Sequence, residues 1–361
     1  MDGYEDYFGL GDIDGVERQP RQRRSEHRRS SEQIPKQREK RKSSDKIGKI
    51  GSRAFLIAVV AVIYVSAVIM MLAFSNGMGT RIKEQEEATI AANILENPVY
   101  PNDYKTVQLD NSEVNDGFLL LINNEYACRH DGIDLANVSE NYNKTYQVTD
   151  YAVEANKTTI DQMNLMFADF KKAVGENDLM ISCAYRSMAL QDQLYKEEIE
   201  EKGEAEGSKW VTKPGHSEHQ SGYAFDLTLM AKNGGITEFD GKGKYAWIKD
   251  NCEKYGFIIR YPQEKTELTG IYHEPWHIRY VGIAHACYIK ENNLCLEEYI
   301  SLIKGYSVQK PLEYQDCEMN RWCIYYVPAG STATNVPVPN GKQYEISGNN
   351  VDGFIVSVKM N

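Results

Sequence analysis

No pair of cysteines in this sequence has the Cys-x-x-Cys spacing. The seven cysteines are scattered between Cys128 and Cys323, which argues against a metal site built from paired thiolates. Cys317 and Cys323 could form a small loop disulfide, Cys287 and Cys295 are a second candidate pair, and buried free thiols are the alternative. Because the total is odd, at least one thiol stays unpaired within a monomer.

Aromatic residues are absent from residues 17–53, and apolar residues are almost absent there too. This tract holds 14 Lys and Arg against 5 Asp and Glu. Such a composition cannot bury enough surface to offset the entropy of ordering, so residues 1–53 are predicted to form a disordered, basic, cytoplasmic tail. A DNA-associated or signalling role would require regular basic and aromatic structure in this tract. No nucleic-acid partner is therefore expected.

Charged residues are absent from residues 54–74, a run of twenty-one residues. As a helix, this run would be about 31 Å long, which matches a hydrocarbon core of about 30 Å. The Lys and Arg residues before it place the N-terminus in the cytoplasm and everything after Phe74 outside the cell. We therefore predict a single-pass membrane protein. A cleaved signal peptide, with Ala73-Phe-Ser75 as its small-x-small site, is the alternative.

The remaining chain divides by composition into three parts. Residues 75–98 are mostly good helix formers and predict a juxtamembrane stalk helix, with too few heptads to favour a coiled coil. Residues 99–305 mix helix and strand patterns without regular alternation, which favours an α+β catalytic domain with a small antiparallel sheet. Residues 306–361 contain β-branched runs between Pro and Gly turns and predict a small all-β domain.

Local patterns predict several elements inside the catalytic domain. An apolar stripe from Ile160 to Phe170 is typical of a helix face in the core. Predicted strands cover 118–122, 178–184 and 257–260, and predicted helices cover 153–174, 187–203, 247–255, 283–290 and 296–303.

Imidazole and carboxylate groups are concentrated in two segments, residues 214–226 and 272–279, each beside a Gly or a Pro. Catalytic zinc typically takes three protein ligands from His and Asp or Glu and keeps a further position for water. His219, Asp226 and His277 would supply such a set. These two segments therefore predict a metal site.

Two local features would bring the first two ligands together. Gly222 permits a tight turn between His219 and Asp226. The run Tyr-Ala-Phe-Asp-Leu-Thr-Leu after this turn alternates as a strand does, so Asp226 would sit on a rigid element.

A rival pattern exists in the second segment, where His273 to His277 formally matches His-Glu-x-x-His on a helix. Pro275 opposes that helix because it lacks a backbone donor and clashes inside a helix. His273 therefore ranks below His219 as a ligand, and His216 is only a spare candidate. His130 and His285 have no recognisable partners and are expected to be structural or exposed.

A family resemblance rests on the two motifs together. Ser217-x-His219-x-x-Gly222-x-Ala224-x-Asp226, followed by Glu274-Pro-Trp-His277-x-Arg279, resembles the paired signature of the VanY-type zinc D-alanyl-D-alanine carboxypeptidases and dipeptidases. The similarity covers residues 115–305 and includes Ala184-Tyr-Arg-Ser187 with Gln191. It implies zinc as the cofactor.

The resemblance also implies roles for residues around the metal. Glu274 lies three residues before His277 and would take a proton from water, then deliver it to the departing amine. Arg186 would point its guanidinium into the cleft and stabilise the oxyanion of the intermediate. Ser217 and Gln191 match the family positions that hold the substrate.

The implied function is removal of the C-terminal D-alanine from peptidoglycan stem peptides by metal-activated water attack. The enzyme would be membrane-anchored with an extracellular catalytic domain, and its partners would be stem peptides and the membrane. An LD-carboxypeptidase acting on tetrapeptide stems is an alternative that the motifs do not separate. A catalytically silent wall-binding module is another, although such a module would be expected to have lost a ligand or Glu274, and neither is lost.

Overall fold

The computed structural model describes residues 103–361. The predicted tail, membrane span and stalk, residues 1–98, lie outside the described residues. Among residues 103–361, no helix has both the length and the apolar character that a bilayer span requires.

Helices and strands are mixed along the described chain without regular alternation, as expected for an α+β fold. The α-helices are α1 (Val138–Asn141), α2 (Lys157–Val174), α3 (Met188–Lys202), α4 (Glu204–Gly207), α5 (Ala246–Asn251), α6 (Thr266–Thr269), α7 (Ile283–Glu291) and α8 (Leu296–Ile303). The 3-10 turns are Asn111–Asn115, Glu218–Ser221, Gly243–Tyr245, Cys252–Tyr255 and Gln263–Lys265. The strands are β1 (Tyr104–Asp110), β2 (Leu135–Asn137), β3 (Gln147–Val148), β4 (Glu154–Asn156), β5 (Leu179–Cys183), β6 (Ala224–Met230), β7 (Ile236–Glu238), β8 (Phe257–Tyr261), β9 (Glu274–Tyr280), β10 (Leu312–Gln315), β11 (Arg321–Pro328), β12 (Ala333–Pro339), β13 (Gln343–Gly348) and β14 (Gly353–Lys359).

A six-stranded sheet forms the centre of the catalytic region. Its strand order is β3-β5-β6-β9-β8, and β7 pairs with β6. All of its pairings are antiparallel except β3 with β5. The predicted small antiparallel sheet is therefore present, with one parallel pair at its edge.

Helix α2 covers this sheet with the predicted apolar stripe. Its N-terminus is capped by Asn156, whose side chain accepts from two backbone N–H groups of the first turn, and it ends at Gly175 in the left-handed region. Ile160, Met163 and Phe167 recur at helical spacing and are buried. The stripe is core, as predicted.

Phe118 is partly buried and residues 119–122 are buried, but the prediction that residues 118–122 form a strand is wrong. Their backbone groups bond to scattered partners instead of a neighbouring strand. Leu119 N–H donates to Ser347 Oγ at 2.9 Å, and Leu121 N–H donates to the carbonyl of Asn349 at 3.1 Å. A buried backbone must find such partners, and a side chain or a loop carbonyl satisfies it as well as a sheet does.

The C-terminal residues form the predicted all-β region. Strands β10-β11-β14-β13 make a four-stranded sheet, and β12 pairs with β1 from the start of the described chain. Buried His285 of α7 contacts Ser357 of β14 at 2.8 Å and also bonds to Tyr299. Helices α7 and α8 share one apolar core with Leu312, Ile324 and Ile355.

A disulfide joins Cys287 of α7 to Cys317 in the turn after β10, with 5.9 Å between the two Cα atoms. Both pairs suggested by sequence proximity, Cys317 with Cys323 and Cys287 with Cys295, are therefore wrong. Cys295 and Cys323 are free thiols. Sequence separation failed as a guide because α7 and the β10–β11 turn meet only in the folded chain.

Candidate metal centre

Two predicted metal ligands face each other across adjacent strands. Asp226 of β6 is the register partner of His277 of β9. Cys183 of β5 is the register partner of Asp226 on the other side. Register partners in a sheet project to the same face, so these three side chains form a row across the strands.

The third predicted ligand, His219, comes from the 3-10 turn that leads into β6. That turn ends at Gly222, whose φ of 81° lies in the left-handed region. A Cβ on Gly222 would lie 2.7 Å from a methyl carbon of Leu135, so a larger residue would clash as well as strain the backbone. The predicted tight turn is present, and it places His219 over the row.

The three predicted ligands meet around the carboxylate of Asp226. His219 Nε2 is 3.2 Å from Asp226 Oδ2, and His277 Nδ1 is 3.1 Å from Asp226 Oδ1. The two imidazole rings stand edge to face, with their centroids 4.8 Å apart. Both histidines are almost fully buried. One nitrogen from each histidine and one carboxylate oxygen can therefore be offered to a single ion.

One observation that is independent of the sequence motif indicates that these three side chains fit a metal ion. Oδ1 of Asp226 is buried and has no hydrogen-bond partner among the described residues, although it lies close to His277 Nδ1. A buried carboxylate oxygen without a hydrogen bond is costly unless a cation is near it. Histidine nitrogens with one carboxylate oxygen are a common ligand set for zinc.

Cys183 offers an alternative third ligand, since its Sγ and the ligand atoms of His219 and Asp226 lie within 4.8 Å of one another. However, Sγ lies 3.7 Å from Nδ1 of His219, and this nitrogen bonds to the carbonyl of Ala184 at 2.7 Å. The guanidinium of Arg186 also donates to Sγ at 3.2 Å. Sγ thus lies beside Nδ1 of His219 and not beside Nε2, the nitrogen that faces Asp226, and this geometry disfavours Cys183 as a ligand against His277.

Electrostatics couples the ligands strongly. Burial opposes the charged form of His219, but Asp226 outweighs it and raises the pKa of His219 to about 10. Burial likewise opposes ionisation of Asp226, yet His219 and His277 hold its pKa well below the usual range. In the metal-free site, His219 is therefore positively charged at neutral pH, with a proton on each ring nitrogen. Nε2 must lose its proton before it can bind a cation.

Glu274, the predicted proton carrier, begins β9 beside the ligands. Its Oε2 is 3.8 Å from His277 Nδ1, and the residue is only 8% exposed. Burial, with a further contribution from the charge of Asp226, raises the pKa of Glu274 to about 7. A carboxyl group with this pKa can both accept and release a proton near neutral pH.

Arg186 lies directly after β5, as predicted, and reaches the same centre. Its Nη2 is 3.6 Å from Asp226 Oδ2, and its Nη1 donates to Gln191 Oε1 at 2.9 Å. The amide nitrogen of Gln191 donates to the carbonyl of Thr212 at 2.7 Å. Gln191 is therefore held by protein on both sides and fixes the direction of the guanidinium.

Ser217 is buried at the start of the turn that carries His219, and its side chain makes no capping hydrogen bond there.

The other histidines among residues 103–361 lie outside the centre. His273 precedes β9, which is a strand and not a helix, and its Nδ1 bonds to the carbonyl of Tyr261 at 2.9 Å. His216 bonds to the carbonyl of Asn123 at 2.6 Å. His130 is exposed and His285 is buried in the core, so the expectations for both are confirmed.

Sequence reasoning missed Glu218 and Cys183. Glu218 is fully buried, and its Oε2 is 3.3 Å from His277 Nε2. Burial opposes its ionisation, but Arg279 and Arg260 hold the pKa of Glu218 well below its usual range. Cys183 has its thiol pKa lowered to about 7, because Arg186 and His219 outweigh burial. Glu218 directly precedes His219 and Cys183 directly precedes Ala184, and this proximity to the motifs was the only sign in the sequence that they lie at the site.

Two histidines and a carboxylate at one buried point, with a second carboxyl group of raised pKa beside them, define the site of a metal-dependent hydrolase. Comparisons with known proteins agree with this class. A family model described as VanY, D-alanyl-D-alanine carboxypeptidase, matches residues 152–283. A D-alanyl-D-alanine carboxypeptidase of Enterococcus faecium is 35% identical over 268 residues, which cover 73% of this chain and 82% of that protein.

Two further similarities extend the comparison. The putative carboxypeptidase YodJ of Bacillus subtilis is 34% identical over 209 residues, 57% of this chain and 75% of that protein. The crystal structure of the vancomycin resistance D,D-dipeptidase VanXYg with a D-Ala-D-Ala phosphinate analogue has a TM-score of 0.65 and 33% identity, covering 71% of this chain and 99% of that one. The chain belongs to the VanY family of D-alanyl-D-alanine carboxypeptidases and is a peptide hydrolase.

Proposed function

We propose that this protein is a zinc-dependent carboxypeptidase that removes the C-terminal D-alanine from peptidoglycan stem peptides, anchored in the membrane with its catalytic domain outside the cell. The observation that carries the proposal is the convergence of His219, Asp226 and His277 beside Glu274. The names of the family and of the Enterococcus faecium relative supply the substrate.

Zinc held by His219, Asp226 and His277 would polarise the scissile carbonyl and lower the pKa of an adjacent water. Glu274 takes the proton of the attacking water, because its carboxylate lies beside the ligands and is ionised above a pH of about 7. It then gives this proton to the amine of the departing D-alanine. One group can do both because its pKa lies near the working pH.

Arg186 stabilises the negative charge that develops on the carbonyl oxygen. Its guanidinium is already directed at the centre by Gln191, so little reorganisation is needed when charge appears. Ser217, which is buried at the start of the turn that carries His219, and Gln191 are proposed to hold the substrate, Gln191 by keeping Arg186 in place.

Two features support the location outside the cell. The Cys287–Cys317 disulfide is typical of proteins in an oxidising compartment. The uncharged run 54–74 follows a tract rich in Lys and Arg, which favours an N-terminus in the cytoplasm. The substrate would lie on the same side as the catalytic domain.

The activity test uses the full chain in detergent, loaded with zinc, and synthetic stems ending in D-Ala-D-Ala or in a single D-Ala. Release of D-alanine from the pentapeptide, abolished by a chelator and restored by zinc, is the expected result. Release from the tetrapeptide alone would favour the LD-carboxypeptidase. No release from either stem by the zinc-loaded protein would refute the proposed activity.

Topology is tested separately on intact cells. A protease added outside should cleave an epitope placed after Asn361 and spare one placed before Met1. The opposite pattern would refute the proposed orientation without affecting the chemistry.

A further inference from the structure

Glu218 and its partners form a buried charge network behind the metal centre. Oε1 of Glu218 accepts from Arg260 Nε at 2.7 Å and from Arg279 Nη1 at 2.6 Å. Arg260 also donates both terminal nitrogens to Glu297 of α8, at 3.0 and 2.7 Å. The side chains of Glu218, Arg260 and Arg279 are fully buried.

The two oxygens of Glu218 have different partners. Both arginines bond to Oε1, whereas Oε2 lies 3.3 Å from Nε2 of His277. The two buried guanidinium groups on Oε1 are always charged and keep Glu218 ionised, and a carboxylate can only accept a hydrogen bond. The proton between Glu218 and His277 must therefore sit on Nε2.

This bond decides which nitrogen of His277 is available. With a proton on Nε2, the neutral ring has its lone pair on Nδ1, the nitrogen that lies 3.1 Å from Asp226 Oδ1. Tyr261 packs against the ring, with centroids 4.9 Å apart, and limits its rotation. His219 is oriented in a parallel way, since its Nδ1 bonds to the carbonyl of Ala184 and its Nε2 faces Asp226.

We propose that Glu218 is a positioning residue of the metal centre, which holds His277 in the tautomer and orientation that present Nδ1 to zinc. It follows that the first motif supplies two ligands, His219 and Asp226, and also orients His277, the ligand of the second motif, through Glu218, the residue directly before His219. Carboxylates that orient a metal-bound histidine in this way typically change metal affinity about 10- to 100-fold when they are removed. This inference rests on the proposed zinc site.

Glu297 provides a matched control. It is the second carboxylate on Arg260, and none of its hydrogen bonds reaches His277. Glu297→Gln therefore makes the same chemical change in the same network without touching the ligand. Glu218→Gln keeps the shape of the side chain but offers Nε2 a neutral amide in place of a carboxylate.

The experiment measures zinc affinity of the full chain in detergent by competition with a chromophoric chelator, together with the thermal unfolding of each metal-free protein. We expect Glu218→Gln to weaken zinc binding about 10- to 100-fold and Glu297→Gln to leave it unchanged, even where both lower the unfolding temperature. Equal zinc affinity in Glu218→Gln and the unmodified protein, or an equal loss in both variants, would overturn the positioning role.

Nitrogen NMR of the zinc-loaded, unmodified protein with labelled histidine decides the matter if Glu218→Gln does not fold. A protonated Nε2 and a metal-shifted Nδ1 on His277 support the inference, and zinc on Nε2 overturns it. If the unmodified protein binds no zinc, the proposed function fails along with the inference. If it binds zinc through Nδ1 yet Glu218→Gln binds equally well, only the inference fails.

Discussion

Replacing Glu274 with Gln tests the proposed chemistry most directly. The two side chains have nearly the same volume, so the substitution leaves no cavity at a position that is only 8% exposed. The amide cannot take a proton from water. A positioned general base contributes about 10²- to 10⁴-fold, so we expect kcat to fall by that factor, which corresponds to about 2.7 to 5.4 kcal/mol in the barrier.

The pH profile makes this prediction sharper. Burial raises the pKa of Glu274 to about 7, so below this pH the carboxyl group becomes neutral and loses its role as a base. Activity should therefore fall as the pH falls. A bound cation favours the carboxylate, so the acid limb of the zinc-loaded enzyme should lie at or below about pH 7. The residual activity of Glu274→Gln should lack this limb.

The assay follows D-alanine release from a pentapeptide stem across the pH range, with zinc content measured on the same samples. Glu267→Gln is the matched control, because Glu267 is exposed on α6 and the chemical change is identical. Turnover by Glu274→Gln at the unmodified rate, with full zinc content, would remove Glu274 from the mechanism. A large loss of zinc would instead show that Glu274 contributes to metal binding.

The other predictions concern the ligands and the guanidinium. His219→Ala should lose zinc as measured by metal analysis of the purified protein, and unchanged metal content would mean that the ligand set is wrong. Arg186→Lys should lower kcat about 10²- to 10³-fold, because a single ammonium group cannot contact Gln191, Cys183 and Asp226 together. Steady-state kinetics would give kcat and KM separately, and full activity would exclude the oxyanion role. Because Asp226 raises the pKa of His219 to about 10, zinc binding at neutral pH should release protons and weaken as the pH falls, by about tenfold per unit for each proton. Titration calorimetry in buffers of different ionisation enthalpy would show this, and a heat independent of buffer would contradict it.

Much of the centre could be predicted because its residues lie in two short motifs with strong local geometry. Gly222 permits the turn that presents His219, and Pro275 opposes the rival helix, so the turn and the strand that carry the predicted ligands follow from nearby residues. Helix α2 was predictable for a similar reason, since its stripe and its cap at Asn156 are local.

What the sequence did not reveal depends on contacts between distant segments. Residues 118–122 have a strand-like composition, yet their hydrogen bonds go to side chains and loops between 159 and 229 positions away. The Cys287–Cys317 disulfide spans 30 residues and requires α7 to meet the β10–β11 turn. In the sequence, nothing distinguishes Glu218 from a solvent-exposed carboxylate. Its partners Arg260 of β8 and Arg279 of β9 come close to it only in the folded chain.

The attachment of residues 118–122 to the last strands limits where this protein can be shortened. Ser347, Asn349 and Asn350 hold the backbone of Leu119 and Leu121. The carbonyls of the same segment accept from Arg279, which in turn bonds to Glu218. A protein truncated after Gly305 would remove this support and leave β1 without β12 as a partner. The active site therefore depends on the C-terminal strands for support. A shortened protein that keeps only residues 99–305 would lose part of the scaffold beneath the active site.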